Sequence, residues 1–154
     1  MHHPAAIHFD DSLWPLLLLR FEGTPSPQQF EAYLTRMESY FERRERFVII
    51  LDLLQTNIVG LQERCERHAA WMRQHEAQLR EWPLGVVAIT DAIALRLLVR
   101  VILHRGPSTL PHLLVSRLSE ATLWAAERLQ QARLEAEAQR VREHFGLPPG
   151  RGPG

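Results

Sequence analysis

The stretch Phe47-Val48-Ile49-Ile50-Leu51 is a continuous apolar run that is rich in β-branched residues. Because it does not alternate between apolar and polar residues, it predicts a strand that is covered on both faces. Two later apolar runs, 84–89 and 112–115, predict further strands, and helical patterns separate the three. Strands that alternate with helices indicate parallel pairing through right-handed crossovers, with helices on both faces of the sheet.

The beginning of the chain predicts an antiparallel hairpin. The apolar runs 5–9 and 16–21 flank Asp10-Asp11-Ser12, a turn-forming cluster. Ser26 and Gln29 then have the spacing of a capping box, so we expect a helix to begin there. The predicted fold is an α/β domain with a mostly parallel five-stranded sheet, this N-terminal hairpin and four main helices.

The other three helices follow the central strand. The patterns place one over about 61–82, one over 92–104 and a last one that continues to about residue 142. Side chains that can cap a helix precede the last two: Asp91, and Ser116 or Ser119. The segment 52–60 between the central strand and the first of these helices predicts a polar loop.

Composition limits the classes of protein to be considered. The 154 residues fit a single domain over 1–145, followed by a flexible Pro/Gly-rich tail over 146–154. Eighteen basic residues balance eighteen acidic ones, so no nucleic-acid partner is expected. Cys65 is the only cysteine and cannot form an internal disulfide. We expect a cytoplasmic chain without membrane insertion, since no signal-peptide pattern or bilayer-length apolar stretch occurs.

The hairpin, the helix and an apolar strand that ends in Leu51-Asp52-Leu53 before another helix resemble the STAS and SpoIIAA-like superfamily. The resemblance is closest to bacterial STAS/SEC14-type domains of unknown role and spans about Ile7 to Leu129. Further residues fit this group: Phe21-Glu22-Gly23, Arg64, Trp71, Glu120-Ala121 and Trp124. The resemblance implies a SpoIIAA-like fold and a protein-binding loop after the strand.

That loop departs from the pattern of anti-sigma-factor antagonists in the same superfamily. Those proteins carry an Asp-Ser-Ser-Gly-type loop with a phosphorylated serine, whereas this chain has Gln55-Thr56-Asn57-Ile58-Val59-Gly60. Thr56 is the nearest substitute for the serine. The resemblance therefore implies the fold and the binding loop, and not the phosphorylation switch.

Motifs that carry chemistry are absent from the sequence. No phosphate-binding loop, dinucleotide fingerprint or nucleophile elbow occurs, and no pair of carboxylates forms an evident acid–base couple. We therefore expect a chain that is not an enzyme and that uses no cofactor.

A stripe of seven side chains runs along the predicted helix 61–82: Leu61, Cys65, His68, Met72, His75, Leu79 and Trp82. Packing in the core is the preferred interpretation. Four of these side chains could bind a soft metal, but the outer two lie about 15 Å apart along a helix, so no metal site is expected. A homodimer through this helix, with Trp71 and Trp82 as anchors, remains an alternative.

A second stripe gives the predicted helix 92–104 a basic edge, formed by Arg96, Arg100 and His104 and extended by Arg105. Such an edge can contact an anion or an acidic partner. With a neutral net charge, a solvated face is the preferred interpretation.

Ligands of open α/β sheets bind outside the carboxyl ends of the strands. Around that edge, the expected partner- or ligand-binding residues are Asp52, Gln55, Thr56, Asn57, Arg64, Asp91 and Arg117. The expected function is a non-enzymatic protein-interaction or regulatory module in a bacterial complex. The alternative is a domain that binds a small ligand, a lipid or a nucleotide, between sheet and helices.

Overall fold

The computed structural model describes residues 5–56, 58–105 and 110–150, with the backbone alone for 58–61. Within these residues the chain forms five strands: β1 (Ala6–Leu13), β2 (Leu16–Gly23), β3 (Phe47–Thr56), β4 (Pro83–Ile89) and β5 (His112–Val115). It also forms six helices: α1 (Pro27–Phe41), α2 (Ile58–Gln74), α3 (Glu76–Glu81), α4 (Ile93–His104), α5 (Leu118–Gln131) and α6 (Glu135–His144).

The strands form one sheet in the order β1-β2-β3-β4-β5. β1 pairs antiparallel with β2, and the three other neighbouring pairs are parallel. The predicted α/β class, the mostly parallel five-stranded sheet and the N-terminal hairpin are thus confirmed. Because each parallel strand lies beside the one before it, right-handed crossovers place α1 to α4 on one face. α5 and α6 cover the other face.

The central strand β3 is buried on both sides, as its unbroken apolar run predicts. Phe47 and Ile49 pack with the core of α1, α2 and α4. Val48 and Ile50 pack with the core of α5 and α6. Alternate side chains of one strand therefore contribute to two cores on opposite sides of the sheet.

The hairpin turn lies farther along the chain than predicted. β1 continues through Asp10-Asp11-Ser12, and the turn falls at Trp14-Pro15, where Trp14 N donates to Asp11 O at 2.9 Å. The predicted turn at Asp10-Asp11-Ser12 was wrong because an edge strand tolerates polar residues whose side chains face solvent. Asp10 and Ser12 are exposed and hydrogen-bonded to each other.

Two of the four predicted helices are each broken into two. The predicted helix 61–82 divides at His75, whose φ of −114° and ψ of 26° are not helical. The last helix divides before α6, where Arg133 adopts a φ of 65°. The second break reverses the chain. Ala138 and Val141 of α6 therefore pack in the core between α5, α6 and the sheet.

The capping box at α1 is confirmed, with Gln29 N donating to Ser26 Oγ and Ser26 N donating to Gln29 Oε1. The other predicted caps were wrong. Asp91 is exposed, and the N-cap residue of α4 is Ala92, whose N–H contacts Thr90 Oγ1 at 3.3 Å. Neither Ser116 nor Ser119 caps α5, whose N-cap residue is Arg117.

Candidate functional site

The carboxyl ends of β2 to β5 meet at one edge of the sheet, where the predicted binding residues were expected. Asp52 lies there on β3 and is only 6% exposed. Its Oδ2 accepts a hydrogen bond from Arg20 Nε at 3.3 Å, and its Oδ1 accepts one from Leu54 N at 3.1 Å. Asp52 therefore joins β2 to β3 and orients the end of β3, and its carboxylate is already occupied.

The predicted polar loop 52–60 is largely regular structure. β3 continues to Thr56, and α2 begins at Ile58. The loop prediction was wrong because β2 pairs with β3 up to Gly23 and Thr56, which extends the sheet past the apolar run. Thr56 Oγ1 also donates to Gly23 O at 2.6 Å, whereas Gln55 is exposed. Asn57 lies outside the described residues.

The remaining predicted residues lie apart from these. Asp91 is exposed between β4 and α4, and Arg117 is exposed before α5. Arg64 lies on α2, above the opposite face of the sheet from Asp52. Among the described members of the predicted set, no hydrogen bond or ion pair joins one to another.

Of the stripe, Met72 and Leu79 are buried in the core and Trp82 packs partly buried against it, as preferred from the sequence. The side chain of Leu61 lies outside the described residues. Trp71, the proposed anchor of a homodimer, is only 3% exposed. It stacks on Phe41, with ring centroids 5.8 Å apart, and donates through Nε1 to Glu38 Oε1 at 3.3 Å. The prediction that Trp71 lies at a surface was wrong, because α1 covers this face of α2. In the described part of the chain, no group of three or more His, Cys, Asp or Glu could hold a metal ion.

An apolar cavity of about 50 Å³ lies where α1, α2 and α4 meet above the sheet. Aromatic and aliphatic side chains of β2, β3, α1 and α4 form most of its wall. Arg64, Cys65 and His68 of α2 also line it. Arg64 Nε and His68 Nδ1 are buried and have no hydrogen-bond partner among the described residues. Burial raises the pKa of the Cys65 thiol and lowers the pKa of His68 to about 4.

The outer face of α4 carries the three most exposed large apolar side chains among the described residues. Ile93 is 79% exposed, Leu97 58% and Val101 52%. They lie four residues apart and form one row along the helix, called here the α4 ridge. The inner face holds Leu95 and Val99, which are 1% and 4% exposed. Nine of the twelve residues of α4 are apolar, a composition typical of a helix that is covered on all sides.

Basic side chains border the α4 ridge. Arg96 donates to Ser116 Oγ at 3.0 Å and to Thr90 O at 3.4 Å, which ties α4 to the ends of β4 and β5. Arg100 and His104 are exposed and make no hydrogen bond or ion pair with a described residue. α4 contains no acidic residue. The ridge therefore lies beside positive charge that α4 itself does not neutralise.

Sequence reasoning found the basic edge of α4 and missed the ridge. The signal was present, because Ile93, Leu97 and Val101 recur at the same spacing as Arg96, Arg100 and His104. Apolar residues on every side of a helix indicate burial, and the sequence alone does not show that one side lacks a cover.

Comparisons with known proteins identify no relative of this chain: no protein-family model, curated protein or solved structure matches it. No helix in the described part of the chain has the length and apolarity needed to cross a membrane.

Proposed function

We propose that this chain is a non-enzymatic, cytoplasmic protein-interaction module of a bacterial regulatory complex, and that it binds an acidic amphipathic helix of a partner protein on the α4 ridge. The observation that carries the proposal is the exposure of three large apolar side chains in one row on α4. A partner helix can fit its own side chains into the grooves on either side of such a row.

The energetics favour a cover for the α4 ridge. Full burial of one large aliphatic side chain contributes roughly 1.5–3 kcal/mol. Ile93, Leu97 and Val101 are 79%, 58% and 52% exposed, so covering what remains of the three would contribute roughly 3–6 kcal/mol, against a cost of association on the order of 4–15 kcal/mol. Adjoining contacts would have to supply the rest, and Arg100 and His104 lie where they can do so.

The charges of α4 indicate the kind of partner. Arg100 borders the ridge without a counter-charge, so a helix with Asp or Glu beside its apolar face is complementary. A second copy of α4 brings no acidic residue and places like charges near each other. The ridge also lacks the aromatic side chains that are common on helices at membrane surfaces.

The predicted surface around Gln55 and Thr56 remains a prediction for a second contact. The α4 ridge is better supported as the main one, because Asp52 is buried and the Thr56 hydroxyl is hydrogen-bonded within the fold.

The test is an affinity capture from the native host with the tagged chain and two matched variants. Leu97→Asp adds a negative charge in the middle of the ridge, which repels an acidic helix, and Leu113→Asp adds the same charge on β5, where Leu113 is 38% exposed. We expect one partner to be recovered with the wild type and with Leu113→Asp, and lost with Leu97→Asp. The region that cross-links to α4 should be an acidic helix.

Equal recovery of that partner by all three proteins would contradict the proposal. A second experiment, with lipid vesicles, tests whether the ridge binds a membrane surface and not a protein. Cosedimentation with phosphatidylglycerol vesicles that Leu97→Asp abolishes would assign the ridge to a membrane surface, and the protein-partner proposal would be wrong.

A further inference from the structure

The cavity between α1, α2 and α4 goes beyond the proposed function, because it lies beneath α4 whereas the α4 ridge faces outward. Val99, Ile102 and Leu103 of α4 line it from one side. Phe21, at the end of β2, lines it from the sheet. The cavity therefore lies toward the carboxyl ends of β2 and β3, the end of an open α/β sheet at which ligands bind.

Two polar groups in this apolar wall lack partners. Arg64 Nε and His68 Nδ1 are both buried, and neither has a hydrogen-bond partner in the described part of the chain. Arg64 and His68 lie four residues apart, so they occupy one side of α2. A buried donor without an acceptor costs free energy that a bound acceptor would recover.

The charge in the cavity is positive and not neutralised by its walls. No Asp or Glu is among the described residues that line it, and Arg64 forms no ion pair with a described residue. His68 is neutral at pH 7, since burial lowers its pKa to about 4, and it can take part as a neutral hydrogen-bonding group. Arg64 is thus the only charge on the wall as described.

The shape and chemistry of the wall define the ligand. A carboxylate can accept two parallel hydrogen bonds from Nε and one Nη of a guanidinium, which would use the unpaired Nε of Arg64. The aliphatic and aromatic wall suits an apolar chain. The volume of about 50 Å³ is a third of the roughly 150 Å³ that accommodates a benzene ring, so that chain must be short.

We propose that the cavity binds a short-chain aliphatic monocarboxylate, with the carboxylate on Arg64 and the hydrocarbon chain against the side chains of β2, β3 and α4. Cys65 contributes to the wall as a neutral thiol, because burial raises its pKa. A carboxylate matches this wall better than a phosphate monoester, because Arg64 neutralises one charge and the apolar wall has no second cation for the other.

Calorimetric titration and amide NMR shifts test this assignment with sodium acetate as the probe, acetamide as its uncharged counterpart and sodium chloride as the salt control. We expect saturable acetate binding with shifts confined to residues around the cavity. Acetamide should bind at least about tenfold more weakly, because it lacks the charge-assisted pair.

Variants of α2 locate the carboxylate. Arg64→Gln should weaken acetate binding at least about tenfold, and Arg64→Lys should weaken it less, since it keeps the charge without the planar fork. Arg67→Gln is the matched control. Arg67 lies on the same helix but pairs with Glu31 at 2.6 Å outside the cavity, so its loss should leave acetate binding unchanged. Circular dichroism verifies that each variant is folded.

Absence of saturable acetate binding to the wild type would overturn the proposal. Equal binding by the wild type and a folded Arg64→Gln variant would do the same. Neither result depends on the α4 ridge, so failure here is distinct from failure of the proposed function.

Discussion

Leu97 and Val99 stand two residues apart on α4, yet Leu97 is 58% exposed and Val99 is 4% exposed. Two residues correspond to a rotation of about 200° around a helix, so Leu97 and Val99 lie on opposite faces of α4. Val99 belongs to the core that α4 shares with α1 and α2. No described residue buries the face that holds Leu97. The same apolar residue types therefore serve packing on one side of α4 and are available for binding on the other.

The two faces predict opposite responses to substitution. Val99→Ala should destabilise the fold by roughly 1–3 kcal/mol, because it leaves space in a packed core. Leu97→Gln should change stability by no more than about 0.5 kcal/mol, as is typical of surface positions. Urea denaturation of both variants checks the pair. A large loss of stability for Leu97→Gln would mean that the ridge is packed within the fold.

Asp52 and Asp91 were both predicted to bind a partner, and the structure predicts different behaviour for the two. Asp52→Ala removes the acceptor of Leu54 N and the partner of Arg20, so it should cost roughly 1–3 kcal/mol of stability. Asp91→Ala should stay within about 0.5 kcal/mol, because Asp91 is exposed. Chemical denaturation measures both. Equal, small effects would refute a structural role for Asp52.

Because His68 is buried, we expect the free energy of unfolding to fall in mild acid. Its pKa is about 4 in the folded chain and about 6.5 when unperturbed. Well above pH 6.5 both states are neutral and His68 has no effect on the pH dependence. Between these values the unfolded state binds a proton that the folded state does not, so stability falls as the pH falls, by up to roughly 1.4 kcal/mol per pH unit.

His68→Gln should flatten that part of the stability profile, which is measured by urea denaturation at a series of pH values from 4 to 7. The exposed His104 provides the matched control. If His104→Gln flattened the profile and His68→Gln did not, the burial of His68 would not be the cause.

Gly85 of β4 lies directly beneath Trp124 of α5. A Cβ atom at position 85 would lie 2.5 Å from Trp124 Cη2, a distance at which one of them must move. Gly85→Ala should therefore cost roughly 1–3 kcal/mol, as overpacking in a core does. Adding Trp124→Leu should recover part of the loss. If the two substitutions were simply additive in thermal unfolding, the close contact would not be the source of the effect.

The sheet was predictable because its strands contain continuous apolar runs. A run such as 47–51 fits only a strand with two covered faces, and the alternation with helices then fixes the parallel order. The breaks at His75 and Arg133 were not predictable. Neither position carries the glycine or proline that usually marks a helix end, and the chain turns there so that α3 and α6 can pack.

The candidate sites depended on information that a sequence lacks. The periodicity of α4 shows apolar residues on both faces, but which face is covered depends on the elements that surround it. The unpaired nitrogens of Arg64 and His68 follow from three helices that meet over the sheet. Arg64 was expected to bind a ligand or partner from the resemblance to STAS-type domains, and the structure places it on the wall of a cavity.

Site-specific photocrosslinking in the native host tests the central claim most directly. A benzophenone amino acid replaces Leu97 in one protein and Leu113 in the other, and the covalent products are identified by peptide sequencing. We predict that position 97 captures an acidic amphipathic helix of one partner protein, and that position 113 does not. Labelling of the same proteins from both positions, or of lipid alone from position 97, would contradict the proposal that the α4 ridge binds a partner helix.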